Sequence, residues 1–440
     1  MNTLRIGLVP IVRSLFRGSR FGLEQTSRQA LEALGKTHGF ELAYVAEPVA
    51  DAAQAEAVAR AAQAADLDLL LVQHVTFATG DAFLPLLQLP IPVGLWALPE
   101  VWETGPLPQN AVCGLNLGVS LLEKPAKWFY GAADDAWFLS RLALTLSALR
   151  GARALRKSRV LLLGGHAPGF FAFDAFPQTG MTVERAKMDE LFEALQTVTD
   201  AELDEMTASF AELSEYPAAQ LRETFRLELA IQKLAQGYDG VAIREWPEIP
   251  DRTGAMAYSA MARLADRGHT FAPEGDVMGL AGQLALQAVT GQPSILLDIS
   301  HFGPKGVMLW HGGDAPKAWA AGPTRLIPHF NRNLPAMRDM ALKAGAVSGF
   351  RLLKGGKAVV HGGQLSGEKG YDGDSSWLVR SSWAAQPLTP RQFLTSWLNH
   401  RIPHHMALGM GQVEEALLEM CTWLGLEVLP PAPEEHRLVW

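Results

Sequence analysis

The chain reads as an α/β protein: two doubly wound, Rossmann-like parallel-sheet domains followed by a smaller β-rich C-terminal domain. Three observations predict this. Short apolar runs alternate with amphipathic helical patterns from the N-terminus to about residue 155, the repetition that builds a parallel sheet. The alternation restarts at Arg159 with RVLLLGG and continues to about Arg325. From about Ser348 the texture changes to short strands broken by glycine turns. The domains are therefore placed at residues 1–155, 156–325 and 326–440.

In the first domain the strands are RIGLVPIV, FELAYVA, DLDLLLVQHV and IPVGLWAL. Helices are predicted over Phe21–Leu34 and Asp51–Ala65, the second rich in alanine, and a long helix around Asp134–Leu155 closes the domain. The opening apolar run, Ile6 to Val12, is short, contains Pro10 and lacks a small-residue cleavage pattern, so it reads as a buried strand rather than a secretion signal.

The second domain opens on the strand RVLLL and the turn GGHAPG. That turn has glycines but neither the dinucleotide spacing nor a helix directly behind it, so it is a weak phosphate signal. Helices are expected over Val183–Thr199, Ala201–Ser214 and Pro217–Gln236. The strand GVAIREW, a PEGD loop entering a helix, and the strand SILLDIS follow. The third domain shows GFRLLKGG, KAVVHGGQLSG and SSWLVRSSW as strands and Pro390–Asn399 as a helix. RIPHHMALGMG reads as a loop, Gln412–Gly425 as a last helix, and PEEHRLVW as a solvated tail.

Composition narrows the function. Of 440 residues, 48% are hydrophobic and 19% charged, which describes a packed globular chain. The net charge of −8, with no basic patch interleaved with aromatics, argues against a nucleic-acid surface. No apolar run is long enough to span a membrane. Two cysteines rule out a disulfide framework and a cysteine-rich zinc site, and suit a cytoplasmic setting.

The groups able to do chemistry gather between Phe271 and Gly313, with one outlier. Glu274 sits where the PEGD loop enters a helix; alone, it reads as a first-turn carboxylate facing the helix dipole, a role Asp276 fills as well. Asp298 ends a run that reads as a buried strand, where a carboxylate must be paired, hydrogen-bonded or metal-bound. His311 follows another strand, and His404 and His405 stand in a loop, where function concentrates. Two carboxylates and two histidines suit a hard-to-borderline divalent ion such as Mn²⁺ or Mg²⁺. The HExxH, GxSxG, P-loop and kinase patterns are absent. These residues point to a metal-assisted enzyme acting on a small molecule.

Several segments resemble the L-fucose/L-arabinose isomerase family, and the likeness runs through essentially the whole chain. PEGDVMGLAGQL resembles the helix that carries an active-site glutamate, here Glu274, and ILLDIS resembles the second carboxylate position, here Asp298. VMLWHGG resembles the place where the arabinose branch supplies a histidine, here His311, and RIPHHMAL aligns His405 with a metal ligand. REWPEI, QHVTFATG and RIGLVPIVR also have counterparts there. The resemblance implies an aldose–ketose isomerase working through a cis-enediol. Glu274 and Asp298 would be acid/base groups and ligands, with His405 and His311, of Mn²⁺ or another divalent ion such as Mg²⁺ or Co²⁺. It further implies that His74, His404 and Arg13 contact substrate, His74 at a neighbouring subunit's site, in a homotrimer or homohexamer. Trp310 and Trp246 are candidates to stack on the sugar. The alternatives are a catalytically silent sugar-binding protein, or an epimerase or lyase on the same metal scaffold.

Overall fold

The computed structural model describes residues 3–433, so the charged tail read as solvated lies, from Glu434 onward, outside the described residues. The chain divides into two compact units, one ending at Arg150 and the other beginning at Gly151.

The first unit is built on β1 (Leu4–Ile11), β2 (Phe40–Val45), β3 (Leu69–His74), β4 (Val93–Ala97) and β5 (Lys127–Tyr130). All are parallel, in the order β2-β1-β3-β4-β5. β3 and β4 are buried throughout, as a strand covered on both faces must be. The alanine-rich helix forms at Ala52–Ala64, and Asp51 caps it by accepting the Gln54 N–H at 2.9 Å.

The second unit holds two sheets. β6 (Arg159–Leu163), β7 (Thr182–Ala186), β9 (Gly240–Ile243) and β10 (Phe271–Ala272) form a parallel sheet in the order β10-β9-β6-β7; the two-residue β8 (Leu213–Ser214) lies elsewhere. The expected helix from Val183 begins only at Met188, because Thr182–Ala186 pairs with β6. Leu161, Leu163, Val241, Ile243 and Phe271 pack against Phe225 and Met261 of the flanking helices to make this sheet's core.

The larger sheet contains β11 (Ile295–Gly303), β12 (Gly306–His311), β13 (Arg325–Ile327), β14 (Met337–Ala341), β15 (Gly345–Leu353), β16 (Lys357–Leu365), β17 (Asp374–Trp383), β18 (Gln386–Leu388), β19 (His405–Met410) and β20 (Glu427–Val428). Six of these close on themselves, β16-β15-β19-β11-β12-β17 and back to β16, every pairing antiparallel. This is a barrel.

Two expectations change here. The strand carrying Asp298 belongs to the barrel and not to a second parallel sheet: Gly303-Pro304-Lys305-Gly306 turns it straight back into β12 as an antiparallel hairpin. The segment read as a loop around His405 is strand β19, apolar and buried over His405–Gly409. Alternation then does the positioning. Ile295 and Leu297 of β11, with Met406 and Leu408 of β19, fill the barrel core, so their neighbours Asp298 and His405 point outward. The outer side of β15 and β19 is covered by the helix Val277–Thr290, whose Gly282 leaves no room for a Cβ against the Phe350 carbonyl and Ala407.

Candidate metal and active centre

Glu274 stands in the turn Pro273–Gly275, between β10 and the long helix. It does not cap that helix; Asp276 does, accepting the Gly279 N–H at 2.9 Å. Glu274 instead has a left-handed backbone, φ 60° and ψ 11°, a conformation that costs a residue with a Cβ on the order of 1–3 kcal/mol. Gly275 beside it is also left-handed, and a Cβ there would lie 2.2 Å from the Gly165 carbonyl oxygen. The turn is thus forced against the loop that follows β6, whose Ala167 N–H donates to the Glu274 carbonyl at 2.9 Å.

Around the Glu274 carboxylate the chain gathers three histidines and a second acid. His404 Nε2 lies 3.1 Å from Glu274 Oε2 and 3.8 Å from Asp298 Oδ1. His405 Nε2 lies 3.4 Å from Glu274 Oε2 and 3.5 Å from Asp298 Oδ1. The pairing of β11 with β19 sets Asp298 directly opposite His405. His311, at the end of β12, brings its ring centroid to 5.7 Å from that of His405. Donor atoms of Asp298, His311 and His405, and of Glu274, His404 and His405, form two groups, within each of which all lie within 4.8 Å of one another.

Both buried imidazoles are aimed from behind. Asp276 Oδ2 meets His405 Nδ1 at 2.9 Å, and Asp314 Oδ1 meets His311 Nδ1 at 2.7 Å. Burial pushes the Asp276 carboxyl up, but the Arg351 guanidinium, which bonds both its oxygens, and His405 together bring it well below the usual carboxylate range. An ionised Asp276 only accepts, so the His405 Nδ1–H donates to it, and the His405 Nε2 is turned toward the two carboxylates. Burial opposes a charge on His311, yet Asp314, Asp298 and Asp374 outweigh it and hold its pKa well above the ordinary value. For Glu274, burial raises the pKa, while the hydrogen bond from His404 and the charges of His405 and His311 more than offset it.

These residues fit a divalent ion. Among the described residues Asp298 Oδ1 and His405 Nε2 are buried with no hydrogen-bond partner, and buried polar atoms left so are unfavourable unless a further group, such as a cation, satisfies them. Two carboxylates and two imidazoles, each imidazole backed by a carboxylate, make the donor set and outer shell expected of such a site.

The remaining expected residues are placed as follows. Trp310 is half-buried, with Nε1 donating to the Asp372 carbonyl at 2.6 Å and its ring edge-on to Phe330. Trp246 donates from Nε1 to Glu274 Oε1 at 3.3 Å. Arg13 and His74 belong to the first unit. Arg13 is exposed, and its N–H donates to Thr76 Oγ1. His74, at the end of β3, is fully buried under Gly114 and Phe83 with neither ring nitrogen bonded, and burial lowers its pKa to about 4.

Sequence reasoning did not name Asp314, Arg351, Glu245, Phe170 or Phe173 as parts of the centre. Phe173 stacks on the His405 ring at 4.8 Å, and Phe170 stands edge-on to both Trp246 and His404 at 5.5 Å. These aromatics come from the GGHAPGFFAF segment, weighed only as a phosphate turn. Of the residues missed, Asp314 alone is close in sequence to its partner, three residues past His311.

No family model matches the chain. It is 25% identical over 402 residues to a sulfoquinovose isomerase of Priestia aryabhattai, covering 82% of this chain and 85% of that protein. A sulfoquinovose isomerase of Clostridium sp. (strain MSTE9) is 24% identical with the same coverage. One of Alkalicoccus urumqiensis is 26% identical over 308 residues, covering 65% of this chain and 69% of that protein. These relatives are sugar isomerases, and none of the three carries the fucose or arabinose name. A solute-binding protein of Agrobacterium vitis bound with α-D-tagatopyranose aligns at 17% identity over 66% of this chain and 90% of that one, with a TM-score of 0.19 that carries no information on fold.

Proposed function

We propose that the chain is a metal-dependent aldose–ketose isomerase of the fucose-isomerase-like kind, acting on a sulfonated hexose such as sulfoquinovose. The observation that carries the reading is a pair of donor groups sharing His405, Asp298–His311–His405 and Glu274–His404–His405, in which Asp298 Oδ1 and His405 Nε2 find no hydrogen-bond partner among the described residues. The relatives' names supply the substrate class, since the likeness to them spans most of the chain.

Glu274, Asp298, His311 and His405 would hold Mn²⁺ or a similar ion such as Mg²⁺ or Co²⁺. When bound, such an ion polarises the sugar carbonyl and neutralises charge on the adjoining oxygens. The chain's own residues move the protons. Aldose-to-ketose conversion takes a proton from C2 and delivers one to C1, while a second passes from O2 to O1. Glu274 and Asp298 carry these protons as general bases and acids through a cis-enediol. His404, half exposed and bonded to Glu274, orients that carboxylate and meets the sugar. Phe170 and Phe173 keep water off the reacting carbons. Trp310 and Arg13 are further sugar contacts, in a homotrimer or homohexamer in the cytoplasm; His74, fully buried beneath Gly114 and Phe83, presents no ring atom to a sugar.

The test is NMR in D₂O on Mn²⁺-loaded protein with sulfoquinovose, glucose, L-fucose and L-arabinose. Conversion of sulfoquinovose to its ketose, with solvent deuterium entering beside the carbonyl, is expected. Conversion of unsulfonated sugars alone would overturn the substrate class. No conversion of any sugar by metal-loaded protein would overturn the isomerase reading.

A further inference from the structure

Behind Glu274 lies a third carboxylate. Glu245 follows β9 by two positions and is completely buried. One of its oxygens accepts the Glu274 backbone N–H at 2.6 Å, and the other accepts the Tyr258 hydroxyl at 3.3 Å. Burying an acid beside another acid is costly unless the arrangement needs it. Burial, and then the charge of Glu274, push its pKa upward.

The geometry shows what it does. A left-handed Glu274 turns its N–H away from any helix or sheet partner, into the interior under the centre. Among the described bonds, the acceptor this N–H finds there is Glu245. On the other side the Glu274 carbonyl is taken by Ala167. The peptide groups flanking the Glu274 Cα are therefore gripped from two loops, and the side chain is left to face His404 and His405. Tyr258 extends the same support. Its ring lies edge-on to His311 at 5.9 Å, stacks on His329, and fills the space beside Gly312, where a Cβ would come within 2.8 Å of it.

We propose that Glu245 is a positioning residue that holds Glu274 in its left-handed backbone, and that with Tyr258 it couples Glu274 to His311. The proposal rests on the isomerase reading only in that Glu274 is taken as a metal ligand; the backbone restraint stands without it. The part of Glu245 that matters is an acceptor oxygen, not a negative charge.

Two variants separate these. Glu245→Gln keeps an oxygen for the Glu274 N–H; Glu245→Leu keeps the bulk and removes the acceptor. Mn²⁺ affinity is read by electron paramagnetic resonance without sugar, and amide hydrogen exchange over residues 271–277 is read by mass spectrometry without metal. The Gln variant is expected to bind Mn²⁺ within about threefold of the parent and to keep slow exchange. The Leu variant is expected to lose about 10- to 100-fold in affinity and to exchange quickly at Glu274. Where turnover is present, its kcat falls while KM for the sugar holds. A Leu variant that folds, binds Mn²⁺ like the parent and exchanges slowly overturns the proposal. So does a Gln variant that loses Mn²⁺ as the Leu variant does, since charge would then be the requirement. If the Leu variant does not fold, the Gln variant decides alone. Exchange responds to Glu245 even if the parent converts no sugar or holds no metal, so failure of the isomerase reading stays distinguishable.

Discussion

Asp276 shows how much one side chain carries and how little of that is local. Its capping of the helix Val277–Thr290 is written in sequence, as an acid three residues ahead of Gly279. Its other partners lie 75 and 129 positions away, Arg351 on β15 and His405 on β19, and no periodicity announces them. Replacing it tests all three at once. Asp276→Asn leaves Arg351, 1% exposed, without its counter-charge, which costs about 3–5 kcal/mol. Urea denaturation of metal-free protein should show that loss, and Mn²⁺ affinity should drop about 10- to 100-fold as His405 is released. A variant with parental stability would show that Arg351 finds its counter-charge elsewhere.

At the scale of the elements, most strands and helices are legible and so is the parallel sheet of β1–β5, but Thr182–Ala186 reads as helix, His405–Met410 reads as loop, and the sheet that takes β11 is not legible. The β15, β16 and β17 segments were read as strands because glycine turns separate apolar runs. β11 reads as part of a parallel sheet because a helix precedes it, and only the turn Gly303–Gly306 marks the antiparallel hairpin. β19 reads as a loop because the polar pair His404 and His405 precedes its apolar run, and only His405 belongs to the strand. The carboxylates and histidines of the centre were legible as residue types and as a resemblance. The acids and aromatics behind them were not, because they arrive from other elements.

The barrel also carries a titration unrelated to the centre. His361 of β16 is fully buried among Phe393, Trp397 and Gly349, with neither ring nitrogen bonded, and burial lowers its pKa to about 3. Folded barrel thus refuses a proton that the unfolded chain takes up near pH 6.5. The stability is complete above that pH and falls as pH drops from 6.5 toward 3, by about 1.4 kcal/mol per pH unit. His361→Gln should flatten the stability–pH slope between pH 6.5 and 5 by that amount. Equal slopes in parent and variant would remove His361 as the cause.

For the molecule as a whole, the four proposed ligands all lie in the second unit, on the turn after β10 and on three neighbouring barrel strands. A bound ion would tie the parallel sheet's edge to the barrel, so metal should stabilise this unit. At a free Mn²⁺ concentration of 100 times Kd the gain is about 2.7 kcal/mol. Amide exchange should slow over residues 271–280, 295–311 and 404–410 and stay unchanged in β1–β5, with EDTA reversing the effect. Uniform slowing along the chain would mean that the ion acts elsewhere.

The facing pair Asp298 and His405 has a consequence for what the sequence can tolerate. Sliding β11 by one residue along β19 would turn Asp298 into the barrel interior and deliver Leu297 to the proposed metal site. A carboxylate forced among Leu309, Met406 and Leu408 would be prohibitive, so a misaligned barrel would be unstable and would lose a proposed ligand together. The far end of the same hairpin, at Pro304 and Lys305, is under no such constraint, because the flanking strands already lock the alignment. One end of the hairpin is a fixed address and the other a place where the chain can grow.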